Sequence, residues 1–121
     1  MTQINTQDLP QLEAMVDRAY GPVNLMLQSE IDSYVQIAND ALHISRDPHK
    51  TNIDTLVCLF KQGPCYDGDV PAKSERDWLL ENGYCEKVVV KKEQGYNAMT
   101  YKGYVLLKFL VQITGRTDWV E

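Results

Sequence analysis

Arg76-Asp77-Trp78-Leu79-Leu80-Glu81-Asn82-Gly83-Tyr84 leads, one residue later, into Glu86-Lys87-Val88-Val89-Val90, and this junction decides the architecture. The first part reads as the end of a helix over about 72–82, with Trp78, Leu79 and Leu80 inward. Gly83 takes the position after the last turn, where a left-handed backbone suits glycine. The second part is a β-branched strand from Glu86 to Lys92, centred on three consecutive valines. Glu93-Gln94-Gly95 then reads as a hairpin turn, with Tyr96 to Thr100 returning as the partner strand. A last helix starts at Tyr101 or Lys102 and carries Tyr104 to about Ile113, ended by Thr114-Gly115. Leu106, Leu107, Phe109, Leu110 and Val111 make it apolar nearly all round, which marks a covered position.

Towards the N-terminus, Thr51 is placed to cap a helix over about 52–62 whose buried face is Ile53, Leu56, Val57 and Phe60. Gly63-Pro64 stops it. The stretch from Pro64 to Pro71 is rich in turn residues and cannot hold a long helix. Further upstream, Asp8 with Gln11 and Pro10 opens a helix bearing Leu9, Leu12, Met15, Val16 and Ala19, and Gly21-Pro22 breaks it. A longer helix from about Val23 to Ser45 carries Leu27, Ile31, Tyr34, Ala38, Ala41 and Leu42 on one stripe, and Arg46-Asp47-Pro48 ends it. Such a helix either packs along its own domain or pairs with a second copy. The stripe and the apolar last helix together predict a homodimer. The chain thus divides into a helical N-terminal extension, 1–50, and a second unit, 51–121.

Composition excludes several classes. The chain has 121 residues, 44% hydrophobic and 24% charged, which suits one globular domain rather than a disordered segment. No apolar run approaches the length of a membrane span. The opening residues lack a charged-then-apolar leader, so a cytoplasmic protein is expected. Cys58, Cys65 and Cys85 are odd in number and form no C-x-x-C pair, in keeping with a reducing compartment. Only His43 and His49 could supplement them as ligands, so no metal is expected. Asp67-Gly68-Asp69 begins like a calcium loop, but Trp78 stands where its final glutamate belongs. No nucleophile elbow, zinc-protease motif, phosphate loop or paired acid-base carboxylates occur, so neither enzymatic activity nor a cofactor is expected.

Helix, turn, helix, two-stranded hairpin, helix is the order of a winged-helix domain. The segment ending Leu79-Leu80-Glu81-Asn82-Gly83-Tyr84 resembles the end of a recognition helix running into the first wing strand. Thr100-Tyr101-Lys102-Gly103-Tyr104-Val105-Leu106 is similar to the Thr-x-x-Gly-x-x-Leu segment that follows the wing in MarR-like regulators. The likeness covers about residues 52–113. The expected fold is therefore mainly α with a β-hairpin, a winged-helix-like domain preceded by a helical extension. One departure is that a loop with Asp67 and Asp69 replaces the usual short positioning helix.

This resemblance implies a small DNA-binding transcriptional regulator, of the kind bacteria and bacteriophages encode, acting on double-stranded DNA. The net charge of -5 argues against a general polyanion binder but leaves room for a basic patch. Between residues 87 and 108, five lysines (Lys87, Lys91, Lys92, Lys102 and Lys108) stand against one acid, Glu93. Lys87, Lys91 and Lys92 are candidates for phosphate contact, or they keep an exposed hairpin soluble. Lys73, Ser74 and Arg76 open the recognition helix, where side chains reach a groove. Alternatively Arg76 pairs with a neighbouring carboxylate. The rival function is a phage-type inhibitor or adaptor that contacts a host protein without reading DNA; the acidic loop and the negative charge favour it.

Overall fold

The computed structural model describes residues 28–47 and 53–121. The expected helix over Leu9 to Ala19, the Gly21-Pro22 break, the start of the long helix and the Thr51 cap lie outside these residues. Helix α1 spans Gln28–Arg46, α2 Asp54–Gln62, α3 Lys73–Glu81 and α4 Tyr101–Thr114. The strands are β1 Cys65–Tyr66, β2 Cys85–Val90 and β3 Glu93–Met99, and short 3-10 turns cover Asp67–Asp69 and Thr117–Val120. The fold is mainly helical with a β-hairpin, in a winged-helix-like layout.

The helix ends follow local chemistry. Helix α3 closes with Gly83 at φ 76°, its N–H donating to Leu80 O at 3.3 Å while Tyr84 N–H reaches Leu79 O at 2.8 Å. These two bonds satisfy carbonyls the helix itself cannot. Helix α4 opens at Thr100, whose hydroxyl accepts from Gly103 N–H at 3.1 Å, and closes at Gly115 in the left-handed region.

Helix α2 takes the partners of its first turn from another helix. It begins at Asp54 after Ile53, which makes no side-chain cap. Its first-turn amides, Thr55 N–H and Leu56 N–H, donate instead to the two carboxylate oxygens of Glu75 on α3, at 3.1 and 3.0 Å. The buried Thr55 hydroxyl completes the joint, donating to Ala72 O at 3.0 Å and accepting from Ala72 N–H at 2.9 Å.

The hairpin turn departs from the sequence expectation. The reversal is at Lys91-Lys92, with Val90 opposite Glu93, and not at Glu93-Gln94-Gly95. Lys91 and Lys92 both take positive φ, 51° and 70°, as a tight two-residue turn demands. Gly95, φ 88°, serves a bulge: between the pairs Val88–Tyr96 and Val90–Glu93, one residue of β2 faces two of β3. The loop after α2 contributes a third strand, and the antiparallel sheet runs β1-β3-β2.

One core joins these elements. Leu56 and Leu59 of α2, Leu79 of α3, Tyr84, and Val105, Leu106, Leu107, Phe109 and Leu110 of α4 are buried with Ile37, Ala38, Ala41 and Leu42 of α1. Helix α1 packs on α4, so the apolar last helix is covered within one chain. Tyr84 ties α1 to the rest. Its hydroxyl donates to Asp40, while its ring stacks on Trp78 at 5.4 Å between centroids and lies 4.7 Å from Lys102 Nζ.

The tightest approach is at Gly103. A methyl group there would fall 2.0 Å from the Tyr84 carbonyl oxygen and 2.9 Å from Met99 Cγ. Gly103→Ala is therefore expected to destabilise the protein by about 3 kcal/mol or more, because backbone must move to make room. Thr100→Ala should cost about 1 kcal/mol by removing the cap. Urea unfolding of the two variants checks both values.

Candidate nucleic-acid interface

The start of α3 and the hairpin carry the six candidates for nucleic-acid contact, Lys73, Ser74, Arg76, Lys87, Lys91 and Lys92. Lys73 and Ser74 are exposed in the first turn of α3. Lys91 and Lys92 are exposed at the hairpin tip, with no ion pair or side-chain hydrogen bond among the described residues. Arg76 and Lys87 are placed differently. Both converge on Asp67, which opens the 3-10 turn after β1.

The register explains this convergence. Cys65, Asn97 and Lys87 stand directly opposite one another across the three strands. Asp67 follows β1 by one residue, which sets its carboxylate above that row. Asp67 Oδ1 accepts from Asn97 Nδ2 at 2.8 Å, from Arg76 Nη1 at 3.2 Å, and from Lys87 Nζ. Asn97 is buried, and its amide nitrogen also donates to Cys65 O at 3.2 Å. That fixes the amide's orientation, since the flipped form would set its oxygen against two others. The cost is an Asn97 Oδ1 with no partner among the described residues. Lys87's hydrogen bond, then Asn97's, hold the Asp67 carboxyl below the usual carboxylate range, with the charges of Lys87 and Arg76 adding to the effect.

Arg76 is enclosed by acids. Its guanidinium also bonds Asp77 Oδ1 through Nε at 3.0 Å and Nη2 at 2.9 Å, and its side chain is only 15% exposed. Of the two roles open to Arg76, base contact or pairing with a neighbouring carboxylate, the structure contains the second. Glu75, also on α3, is turned inward to cap α2, and burial pushes its carboxyl up against the downward pull of the two amides.

The remaining lysines of the basic stretch are engaged as well. Lys102 Nζ donates to Asn82 O at 2.7 Å, joining α4 to the end of α3. Lys108 lies 5.5 Å from the ring of Tyr104. Tyr96 packs edge-on against Tyr66 at 5.5 Å, whereas Tyr101 is 62% exposed. Composition gives no hint that Asp67 organises this surface; its only sequence signal is its place in a turn rich in glycine and proline.

Among the described residues no group of three or more side chains is arranged to hold a metal ion, and no helix is long and apolar enough to cross a membrane. The chain matches no protein-family model, no curated protein and no solved structure.

The charge state of Asp67 gives a pH signature. Its folded-state pKa is depressed, so the unfolded chain binds more protons below about pH 4, and Asp67's contribution is lost as pH falls through its lowered value. Asp67→Asn is expected to lower the urea midpoint at pH 7 and to flatten the loss of stability as pH falls below about 4. Urea titrations across that range test the claim, and identical pH slopes for the variant and the parent would refute it.

Proposed function

We propose that this chain is a small, non-enzymatic nucleic-acid-binding regulator that uses its winged-helix-like layout to contact double-stranded DNA. The observation that carries the reading is the hairpin tip. Two adjacent lysines, Lys91 and Lys92, occupy left-handed positions where glycine and asparagine are the favoured residues. Left-handed backbone at non-glycine residues costs about 1 kcal/mol or more each, and such strain collects where function holds it. Both ammonium groups are thereby presented at the end of the wing, where the phosphate backbone of a duplex would run.

Lys73 and Ser74 at the exposed start of α3 supply the second contact. Inward-turned Glu75 removes one acid from that surface. With Arg76 held by Asp67 and Asp77, binding rests on phosphate contacts more than on base reading. The likeness of Thr100 to Leu106 to MarR-like regulators supports this reading, of which a homodimer built through the N-terminal part of the chain and acting in the cytoplasm is a further part.

The Asp67 cluster favours a second reading, a protein-interaction module. It neutralises Arg76 and Lys87, the two basic groups between helix and wing, and presents to a partner a rigid polar surface on a chain of net charge -5.

Fluorescence anisotropy on random duplexes at two salt concentrations separates the two. Replacing Lys91 and Lys92 by alanine is expected to weaken binding to all sequences alike. The salt slope should fall by about one unit for each phosphate that the variant no longer neutralises. No binding by the parent protein even at low salt would leave the interaction module as the better account. A companion variant, Lys91→Asn with Lys92→Gly, should raise stability by about 1 kcal/mol as turn strain is relieved, while weakening DNA binding as the alanine variant does. Thermal unfolding and anisotropy on the same sample report the two effects.

A further inference from the structure

The sulfur atoms of Cys58 on α2 and Cys65 on β1 lie 3.5 Å apart, while Cys85 has no thiol partner among the described residues. A disulfide needs about 2.05 Å, so a closure of roughly 1.5 Å separates two free thiols from a bond. Cys65 also directs its thiol to Gly63 O at 3.4 Å, a weak hydrogen bond that closure would give up.

We propose that Cys58 and Cys65 form a redox-modification site that closes to an intramolecular disulfide by exchange with a small-molecule disulfide of the glutathione type. The two thiols have different access. Cys58 is half-buried and Cys65 is buried. Burial, and then the neighbouring Cys58, push the Cys65 thiol up to about 11, with Asp69 adding to the effect. The first attack therefore belongs to Cys58.

The Cys58 thiolate attacks one sulfur of the small disulfide. The old sulfur–sulfur bond breaks, one small thiolate leaves and takes up a proton, and Cys58 carries a mixed disulfide. Cys65 then gives its proton to solvent, and its thiolate attacks Cys58 Sγ and expels the second small thiolate. Two protein thiols are oxidised to one disulfide as one small disulfide is reduced to two thiols. The mixed disulfide also takes away the Cys58 thiolate, whose negative charge and acceptance of a hydrogen bond from the Cys65 thiol are two of the influences that hold Cys65 in its protonated form.

The bond would fasten β1 to α2 across the Gly63-Pro64 turn, close to the Cys65 carbonyl that positions Asn97 and, through it, Asp67. Disulfides formed under reducing conditions are commonly of this sensing type.

The test uses the full chain incubated with mixtures of reduced and oxidised glutathione. The expected product is lighter by two hydrogens in intact mass, carries no glutathione, retains one titratable thiol, and yields a peptide linking 58 to 65. Its thermal midpoint should exceed that of the reduced chain, because the unfolded state is constrained. Cys85→Ser should behave like the parent, and Cys65→Ser should stop at a glutathione adduct on Cys58. A stable glutathione adduct on the parent, a link through Cys85, or three free thiols at full oxidising strength would each overturn the proposal. The parent's mass change decides the matter even where a variant fails to fold.

Discussion

Helix α4 begins where the Tyr84 carbonyl meets Gly103, and much of the domain takes its geometry from that contact. A side chain at 103 would overlap the carbonyl oxygen, so only glycine lets the first turn of α4 lie against the start of β2. Thr100 fixes the approach from both sides: its hydroxyl accepts from Gly103 N–H and donates to Gly83 O at 2.7 Å, and its own N–H donates to Tyr84 O at 3.2 Å. One hydroxyl thus serves the end of α3 and the beginning of α4. With those ends locked, Met99 is held opposite Cys85, and the ladder places Asn97 opposite Lys87. Two residues of slippage would carry Lys87 away from Asp67. The charge cluster at the centre of the candidate interface is therefore a consequence of backbone packing at the other end of the hairpin.

The α2–α3 pair is held by a different device. Two helices meeting at an angle usually rely on apolar contact, and here Leu56, Leu59 and Leu79 provide it. Added to that, a carboxylate from one helix satisfies the orphan amides of the other, and Thr55 bonds both polar groups of Ala72. Negative charge at a helix N-terminus is favourable whichever chain segment delivers it. The arrangement fixes the rotation of α3 about its axis. Glu75 must face α2, so Lys73, Ser74 and Asp77 are left to the solvent.

What is legible in the sequence is local. Gly83 after a helix has its hydrogen-bond partners within a few positions, and the covered position of α4 follows from a composition that is apolar nearly all round; the structure agrees with both. The hairpin turn is a different matter, because Gly95 is the residue that positive φ prefers. The chain spends that glycine on a bulge and forces Lys91 and Lys92 into the turn. Strand β1, at two residues, is too short to show a periodicity. The Glu75 cap joins residues about twenty apart, and the bond between Asp67 and Asn97 joins residues thirty apart. No spacing rule reaches so far, and so the sequence shows basic residues without showing which of them already have acids to satisfy.

That distinction bears directly on function. The five lysines between residues 87 and 108 suggest a broad positive surface. Inside the fold Lys87 goes to Asp67, Lys102 to a helix-end carbonyl and Lys108 to an aromatic ring, which leaves the tip pair as the free charge of that stretch among the described residues. A phosphate approaching between α3 and the wing would have to displace Asp67 as the partner of Arg76 and Lys87, exchanging one anion for another at little net gain. A phosphate at the tip meets no such competitor. The geometry therefore concentrates any contact with a polyanion at Lys91, Lys92 and the start of α3. A protein partner faces a different surface, since it can dock on the Asp67 cluster without breaking it, adding hydrogen bonds to groups that are already fixed in place.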